Sequence, residues 1–316
     1  MTEFRASSTT ASSTLSLIGN TPLVSLDRIW PGPGRLVAKA EFLQPGGSVK
    51  DRAALAIVEA ARKDGRLKPG APVVEMTSGN MGAGLAVVCA ALGHPAVCTM
   101  SSGNSKERAR MMEGLGAEVI LVDQVSGIYG KVTGEDIDKA TEVARQIASQ
   151  RGGFYVDQFN AIEPIKAHEQ RTGKELLAQL DEPVAAWVAS IGTGATFIGV
   201  ARALKRANRD TKCFASEPLG CEILAGQKIT RKQHIIQGTG YGLRPPHWDD
   251  TLVDGYLAVS DVEVHKMKGR LGREEGLYVG LSAAANVLSA VKLLQSGDLH
   301  ADATIATVLC DTGLKY

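Results

Sequence analysis

A lysine in a glycine-containing turn is the first residue that could do chemistry. The segment 44–52 reads QPGGSVKDR, and apolar residues at helical spacing follow it. The sequence predicts Ser48 as the N-cap of this helix, and the carboxylate of Asp51 in the first turn suits the helix dipole. Lys50 opposes that dipole, so a neutral amine is favoured there. A neutral lysine amine forms an imine with a carbonyl cofactor, and a solvated surface lysine is the alternative.

Two further loops follow predicted strands and open predicted helices, where backbone N–H groups can bind anions. The segment 77–82 (TSGNMG) offers hydroxyls and the amide of Asn80, although these residue types also simply favour helix starts. The small residues of 192–196 (GTGAT) let backbone amides close on a phosphate. Phe197 stands where a dinucleotide fingerprint needs glycine, and no Walker-type lysine follows. The pattern indicates a phosphorylated cofactor smaller than a nucleotide.

The last candidate is an acid that follows the final predicted strand. Asp311 lies in the segment 310–313 (CDTG), and a carboxylate at the buried end of a strand is costly without a partner. A protonated ring nitrogen would be such a partner, and an ordinary turn acid is the alternative. Together with Lys50, Asn80 and the 192–196 loop, Asp311 completes the set of groups that pyridoxal 5′-phosphate (PLP) requires.

Alternating short strands and longer helices must position these residues. The sequence predicts helices over 50–63, 81–92, 105–115, 134–150, 196–207, 260–275 and 281–296. It predicts strands over 72–76, 95–100, 117–122, 184–190, 212–216 and 303–309, after strand-like runs ending at Val24 and over 36–42. This alternation is typical of right-handed βαβ units in mostly parallel sheets, with ligands at the carboxyl ends of the strands.

We therefore predict an α/β fold of two lobes, each a twisted, mostly parallel sheet flanked by helices. A smaller, mobile lobe over 46–160 is expected to carry Lys50 and the asparagine loop. A larger lobe, formed by 16–45 and 161–316, is expected to carry the phosphate loop. Residues 1–15 are expected to form a flexible N-terminal arm rather than a secretion signal.

The composition of the 316 residues is typical of a globular protein, with 44% hydrophobic and 22% charged residues. A formal charge of +1 gives no indication of nucleic acid or an anionic membrane as partner. The five cysteines are scattered, as buried thiols of a reducing compartment are, and no two histidines have metal-ligand spacing. No apolar run is long enough for a membrane helix. We therefore expect a cytoplasmic protein without a bound metal.

A series of short motifs, in one order along the chain, resembles those of fold-type II PLP enzymes of the cysteine synthase and cystathionine β-synthase family. They are GNTPL at 19–23, SVKDR at 48–52, TSGN at 77–80, QF at 158–159, His168 with TG at 172–173, GTG at 192–194, IQGTG at 236–240 and EEG at 274–276. The resemblance implies a tryptophan synthase β-like fold, PLP as cofactor and a homodimer.

The resemblance also implies roles for individual residues. Lys50 would hold the cofactor as an internal aldimine and move the α-proton of the substrate, and Asn80 would bind the ring oxygen. The phosphate would be held by Gly192, Thr193, Gly194, Ala195 and Thr196. The substrate would be held by Thr77, Ser78, Asn80, Met81, Gln158 and Gly238. The implied reaction is β-replacement on O-acetylserine, O-phosphoserine or serine by a thiol, sulfide or amine through an α-aminoacrylate.

Several positions depart from the family pattern. Met81 replaces a threonine of the asparagine loop and removes a hydroxyl from the carboxylate site, and Ala195 replaces a glycine of the phosphate loop. Asp311 is interpreted as falling where the family usually has serine, and its carboxylate would favour a protonated pyridine nitrogen. The run LSAA at 281–284 replaces ISSG without a clear consequence.

Met81 and Asp311 leave an alternative reaction open. This is PLP-dependent β-elimination, of the serine/threonine dehydratase or ammonia-lyase type, which releases a 2-oxo acid. A non-catalytic member of the fold that binds a metabolite or a partner protein is disfavoured by Lys50. A nicotinamide dehydrogenase is disfavoured by Phe197. The leaving group and the nucleophile stay open at this point.

Overall fold

Helices and strands alternate along the chain in the computed structural model, which describes residues 11–231 and 233–315. The helices are α1 (Lys50–Lys63), α2 (Asn80–Leu92), α3 (Lys106–Gly114), α4 (Gly134–Gln150), α5 (Glu163–Ala167), α6 (Gly173–Ala178), α7 (Ala195–Ala207), α8 (Asp261–Glu274) and α9 (Leu281–Ser296). The strands are β1 (Leu23–Ser25), β2 (Arg35–Lys39), β3 (Val73–Met76), β4 (Ala96–Ser101), β5 (Glu118–Val122), β6 (Phe154–Tyr155), β7 (Ala186–Ser190), β8 (Lys212–Pro218), β9 (Gly255–Val259) and β10 (Thr304–Val308). Within the described ranges, no helix is long and apolar enough to cross a membrane.

The strands form two sheets that are almost entirely parallel. The larger sheet has six strands in the order β1-β2-β10-β7-β8-β9, in which β1 runs antiparallel to β2 and the other pairs are parallel. The smaller sheet has four parallel strands in the order β5-β4-β3-β6. Parallel neighbours need crossover connections, and helices supply most of them. The predicted α/β fold of two mostly parallel sheets is confirmed.

All four strands of the smaller sheet come from one continuous part of the chain. β1 and β2 precede them, yet β2 pairs with the last strand, β10, from Arg35 opposite Thr304 to Lys39 opposite Val308. The larger sheet is therefore assembled from both ends of the chain, with the smaller sheet inserted between them. The lobe boundaries near residues 46 and 160 fall in the two connections between the sheets and stay a prediction.

Two glycines bring α2 close to its neighbours. A Cβ at Gly82 would lie 2.2 Å from the sulfur of Met112, and one at Gly84 would lie 3.0 Å from the carbonyl oxygen of Lys50. On the facing side, Ile57 and Val58 of α1 are completely buried. Both belong to the apolar residues whose helical spacing the sequence shows. This close packing fixes the start of α1 against α2, and both helices begin at residues of the predicted site.

The start of α1 differs from the sequence prediction in its cap. The N-cap residue is Val49 rather than Ser48, and no side chain caps the helix there, although the hydroxyl of Ser48 accepts a 3.3 Å hydrogen bond from the Lys50 N–H. Asp51 turns back to accept from the backbone N–H of Gly46, and burial raises its pKa to about 6. The predicted Ser48 cap is therefore wrong, and Asp51 braces the preceding turn.

Other differences lie in short or irregular segments. The sequence prediction missed β6, β9 and the run 163–178, where α5, a π-helical turn at His168–Thr172 and α6 follow one another. The predicted strand over 36–42 is shorter, because residues 41–43 form a 3₁₀ turn. Of the predicted N-terminal arm, residues 1–10 lie outside the described residues, and Thr14–Leu17 form a short 3₁₀ helix.

Candidate active site

The carboxyl ends of strands from both sheets open into one cavity of about 730 Å³. Its walls include residues that follow β3, β6, β7 and β10, which is where parallel sheets place their ligands. It brings together twelve of the residues that the sequence predicts: Lys50, Thr77, Ser78, Asn80, Met81, Gln158, Gly192, Thr193, Gly194, Ala195, Thr196 and Gly238. Asp311, the remaining predicted residue, lies behind the cavity wall.

Lys50 is the first residue of α1, and it is half-buried in the cavity wall. Burial lowers the pKa of its amine below the ordinary lysine value, while the nearby Cys310 and Asp311 act in the opposite direction. The backbone is held as well, because the N–H of Val49 donates to the carbonyl oxygen of Cys310 at 2.8 Å. A lowered pKa increases the neutral fraction of the amine, as a nucleophilic lysine requires.

A buried ion network lies two residues further along α1. The Arg52 guanidinium donates to both carboxylate oxygens of Glu41, at 2.7 and 2.8 Å, and to both of Glu175, each at 2.7 Å. Lys39 also pairs with Glu175 at 2.7 Å. Burial acts to raise both carboxyl pKa values, but Arg52 outweighs it, so that the pKa of Glu41 is lowered and that of Glu175 is about 2. Both carboxylates are charged at neutral pH, and they tie the start of α1 to β2 and α6.

The segment 192–196 forms a tight turn that leads into α7. Gly194 has a φ of +83°, and a Cβ at Gly192 would lie 2.3 Å from the carbonyl oxygen of Gly238, so the turn depends on glycine at both positions. In the part of the chain that the structure describes, no side chain caps the start of α7, and the first turn of α7 holds no acidic residue. A helix start with uncapped N–H groups at a cavity wall is suited to bind a phosphate. This geometry fits the phosphate group of PLP.

A histidine supports this turn from behind. Nε2 of His168 lies 3.2 Å from the hydroxyl oxygen of Thr196, and Nδ1 lies 2.9 Å from that of Thr172. Burial, reinforced by the positive charge of Arg52, lowers the pKa of His168 to about 3. The ring is therefore neutral, and it orients the Thr196 hydroxyl at the cavity. The sequence marks His168 and Thr172 as family motifs, and the structure gives them this physical role.

The 77–81 loop leaves β3 and opens α2. Ser78 accepts a 3.2 Å hydrogen bond from Arg108, whose guanidinium also donates to the side chain of Gln237 across the cavity. Met81 is 2% exposed, so its side chain fills the space beneath the loop instead of offering a polar group. The loop therefore presents hydroxyls, backbone N–H groups and a nearby guanidinium to the cavity, a set suited to a carboxylate.

Asp311 does not line the cavity, as a partner of the cofactor ring would have to. It is fully buried, and Oδ2 accepts a 2.7 Å hydrogen bond from Nδ2 of Asn80. The chain turns after β10 so that this carboxylate packs against Gly280, where a Cβ would come within 2.1 Å of Oδ1. Ser282 and Cys310 line the cavity nearby instead. The prediction for Asp311 is corrected accordingly: it lies behind the cavity wall and contacts Asn80, the asparagine that is predicted to bind the cofactor.

Sequence reasoning missed several residues of the cavity wall. Ser282 is the second residue of α9 and lies within the LSAA run, whose position at a predicted helix start was the available signal. Lys315 also lines the cavity, and its position four residues after a candidate acid was the available signal. Tyr241 packs edge-on against Phe159 with ring centroids 5.4 Å apart, and its position in a glycine-rich run gave no signal.

Comparison with known proteins identifies the class to which this fold and site belong. The family model described as pyridoxal-phosphate dependent enzyme matches residues 14–311, and the chain belongs to that family. PLP is therefore its cofactor, as the sequence predicts.

Individual relatives narrow the comparison. The chain is 35% identical over 302 residues to a cysteine synthase of Staphylococcus aureus, covering 95% of this chain and 93% of the relative. The fold matches a cysteine synthase from Entamoeba histolytica with a TM-score of 0.89 and 31% identity, covering 100% of this chain and 92% of that chain. It also matches an O-acetylserine-dependent cystathionine β-synthase from Helicobacter pylori, with a TM-score of 0.86 and 28% identity, covering 98% and 97%. The predicted resemblance to the cysteine synthase family is confirmed.

Proposed function

We propose that this protein is a PLP-dependent β-replacement enzyme. Its substrate is a serine derivative, an L-alanine with a leaving group on the β-carbon, and its second substrate is a thiol, sulfide or amine. The observation that carries the proposal is that Lys50, the 192–196 turn and the 77–81 loop line one cavity. The names of the relatives from S. aureus and H. pylori support this class of reaction.

The cofactor would be held by three parts of the cavity. Lys50 would bind its aldehyde carbon, the N–H groups of the 192–196 turn and the Thr196 hydroxyl would bind its phosphate, and Asn80 would bind its ring oxygen. When bound, PLP supplies an electron sink that weakens the bonds at the α-carbon of an amino acid. The protein itself binds the substrate, transfers its proton and excludes water.

Lys50 also moves the proton. Because burial lowers the pKa of its amine, the neutral form is more populated near pH 7 and accepts the α-proton of the substrate. The substrate carboxylate binds at the start of α2, through the Thr77 and Ser78 hydroxyls. Arg108, hydrogen-bonded to Ser78, adds positive charge there. This arrangement holds the α-carbon of the substrate within reach of the lysine.

We further propose that the 46–160 lobe moves toward the rest of the protein when the carboxylate binds. The 77–81 loop belongs to that lobe, so it would carry the bound substrate with it. Phe159 and Tyr241, whose ring centroids are 5.4 Å apart, also line the cavity. Closure would exclude the water that otherwise competes with the nucleophile.

Replacement of Lys50 by alanine tests the proposal. Borohydride reduction of wild type with PLP should leave a pyridoxyl mass on the peptide that contains Lys50, and Lys50→Ala should lose both this mass and turnover. Lys63→Ala is the matched control, because Lys63 is an exposed lysine at the other end of the same helix. Wild-type turnover in Lys50→Ala, or an unlabelled Lys50 peptide in wild type, would overturn the proposal.

A product assay separates replacement from elimination. Serine, O-acetylserine and O-phosphoserine should each be offered with sulfide, with thiols and with amines, and the mixture assayed for a new amino acid, a 2-oxo acid and ammonia. We expect the new amino acid to form from at least one donor. Release of a 2-oxo acid and ammonia from every donor, with no new amino acid, would assign the protein to the eliminating class instead.

We also propose a cytoplasmic homodimer. All five cysteines are free thiols, which is typical of a reducing compartment. Tyr278 and Leu314 are 56% and 83% exposed on touching segments, and apolar surface of this kind favours association with a second copy. Sedimentation should give twice the mass of the chain, and Leu314→Glu should shift it toward the monomer. A monomeric wild type would contradict the dimer.

A further inference from the structure

The amide of Asn80 is held at both of its polar atoms by the last part of the chain. Its Nδ2 donates to Oδ2 of Asp311 at 2.7 Å, and its Oδ1 accepts from Nζ of Lys315 at 2.7 Å. Asn80 belongs to the loop after β3, whereas Asp311 and Lys315 follow β10 in the other sheet. This amide therefore links segments that follow strands of the two sheets.

Backbone hydrogen bonds hold the 310–315 segment in place. The carbonyl oxygen of Cys310 accepts a hydrogen bond from the N–H of Val49 at 2.8 Å. The N–H of Thr312 donates to the carbonyl oxygen of Gly47 at 3.1 Å. On its other side, the carbonyl oxygen of Asp311 accepts from Gly280 N–H at 3.0 Å. The segment thus runs between the turn that leads to Lys50 and the residues that precede α9. Its side chains approach Asn80 from a fixed backbone.

The chemistry of the two partners fixes which way the amide points. An ammonium group only donates hydrogen bonds, and a carboxylate only accepts them, so Lys315 selects the carbonyl oxygen of Asn80 and Asp311 selects its nitrogen. A flipped amide would face Lys315 with N–H groups and Asp311 with an oxygen. Lys315 Nζ also donates to the carbonyl oxygen of Gly46 at 2.6 Å, which anchors the ammonium independently of Asn80.

One N–H of Asn80 is left after these contacts. An amide nitrogen carries two hydrogens, and Asp311 accepts one of them. Asn80 lines the cavity together with Lys50 and Lys315, whereas Asp311 lies behind the wall. The second N–H is therefore the group that Asn80 offers to a ligand in the cavity.

We propose that Lys315 and Asp311 are positioning residues that fix the Asn80 amide so that its second N–H donates to the ring oxygen of PLP. The inference rests on the proposed function, in which Asn80 binds that oxygen. Neither Lys315 nor Asp311 needs to touch the ring oxygen for this role. A donor held in advance binds more tightly than one that must first be ordered, and an N–H donor stabilises a negatively charged ring oxygen.

The experiment is a double-mutant cycle read out by PLP affinity. Lys315→Met in the wild-type background should raise the Kd for PLP about three- to tenfold, the effect of losing one net hydrogen bond. In an Asn80→Ala background the same change should alter the Kd by less than about twofold, because the amide that Lys315 orients is gone. Lys315→Arg keeps a cationic donor and should restore most of the affinity. Lys63→Met is the control for loss of an exposed lysine.

A spectrum provides the second readout. Loss of the oriented donor should lower the visible absorbance band of the bound cofactor relative to its near-ultraviolet band in Lys315→Met and not in Lys63→Met. If Lys315→Met does not fold, Lys315→Gln is the substitute, since a glutamine amide can still donate but carries no charge. Equal effects of the Lys315 change in both backgrounds, or an unchanged spectrum, would overturn the inference. Labelling of the Lys50 peptide by borohydride in the same samples keeps that outcome distinct from failure of the proposed function.

Discussion

Replacing Arg52 by methionine probes the ion network beside Lys50. The change removes these four hydrogen bonds from the guanidinium. Among the described residues, the completely buried Glu41 then keeps two side-chain donors, the Thr21 hydroxyl and the Gln44 amide. Removing one partner of a buried ion pair costs about 3–5 kcal/mol. Lys39 still neutralises Glu175 in the variant, so we expect a loss of about 3 kcal/mol in the free energy of unfolding.

The loss of unfolding free energy in Arg52→Met should increase as the pH rises. In wild type the pKa of Glu41 is lowered and that of Glu175 is about 2, so their stabilisation is complete above the unfolded value of about 4.3 and is lost as the pH falls toward 2. In Arg52→Met, burial without the guanidinium raises the pKa of Glu41 above its unfolded value. The folded variant then loses stability as the pH rises through that interval. Its deficit against wild type should be larger at about pH 8 than at about pH 5.

Urea unfolding at both pH values, followed by the fluorescence of the buried Trp187, measures the deficit. Arg151→Met is the matched control, because the Arg151–Glu118 pair has side chains 44% and 48% exposed and should contribute about 1 kcal/mol or less. A loss of stability in Arg52→Met no larger than that in Arg151→Met would contradict a stabilising role of the buried ion network. An equal deficit of Arg52→Met at both pH values would contradict the expected ionisation of Glu41.

Two further substitutions test the cavity wall. Gly192→Ala should weaken PLP binding by more than about tenfold, since its Cβ would lie 2.3 Å from the carbonyl oxygen of Gly238. Gly114→Ala should bind as wild type does, because Gly114 is exposed, lies outside the cavity wall and has nothing within 4 Å of its added Cβ. A PLP titration of both variants measures the two dissociation constants, and equal affinities for PLP would contradict a close-packed turn at Gly192. Burial raises the pKa of Glu75 to about 8, so the native carboxyl holds a proton that the unfolded chain releases, and wild type loses stability as the pH rises from about 4.3 to 8. Glu75→Gln removes this slope and should gain about 3–4 kcal/mol relative to wild type between about pH 5 and pH 8, at about 1.4 kcal/mol per pH unit. A difference in melting temperature between variant and wild type that is the same at both pH values would show that Glu75 is already ionised.

The sequence predicts those elements whose signals are local. The ends of α1, α4 and α9 agree with the predicted helices at 50–63, 134–150 and 281–296, because each has apolar periodicity with polar residues or glycine beside it. β6 has two residues, too few for a pattern. The π-helical turn at 168–172 lies against Gly199, where a Cβ would come within 2.6 Å of His168 Cβ. Such a long-range contact leaves no mark on the local sequence.

The residues of the site also differ in whether local sequence signals predict them. Lys50, Asn80 and the 192–196 turn could be predicted because each begins a helix, and the latter two also follow parallel strands, whose carboxyl ends converge at one side of a sheet. The roles of Asp311 and Lys315 could not, because the path of the chain after β10 depends on hydrogen bonds to residues 47–49, more than two hundred positions away. The sequence shows that Asp311 follows a strand, but it does not show that Asn80 is its hydrogen-bond partner.

The central place of β10 has a consequence for biosynthesis. This strand lies between β2 and β7, so the N-terminal hairpin of β1 and β2 stays separated from the rest of its sheet until residues 304–308 leave the ribosome. The smaller sheet, in contrast, is complete once residue 155 has emerged. A nascent chain stalled before residue 304 would already contain Lys50 and yet lack the Cys310 carbonyl that holds the preceding residue. We expect cofactor capture only after β10 and Cys310 have emerged, and borohydride labelling of chains arrested before residue 304 and after residue 316 would reveal the difference.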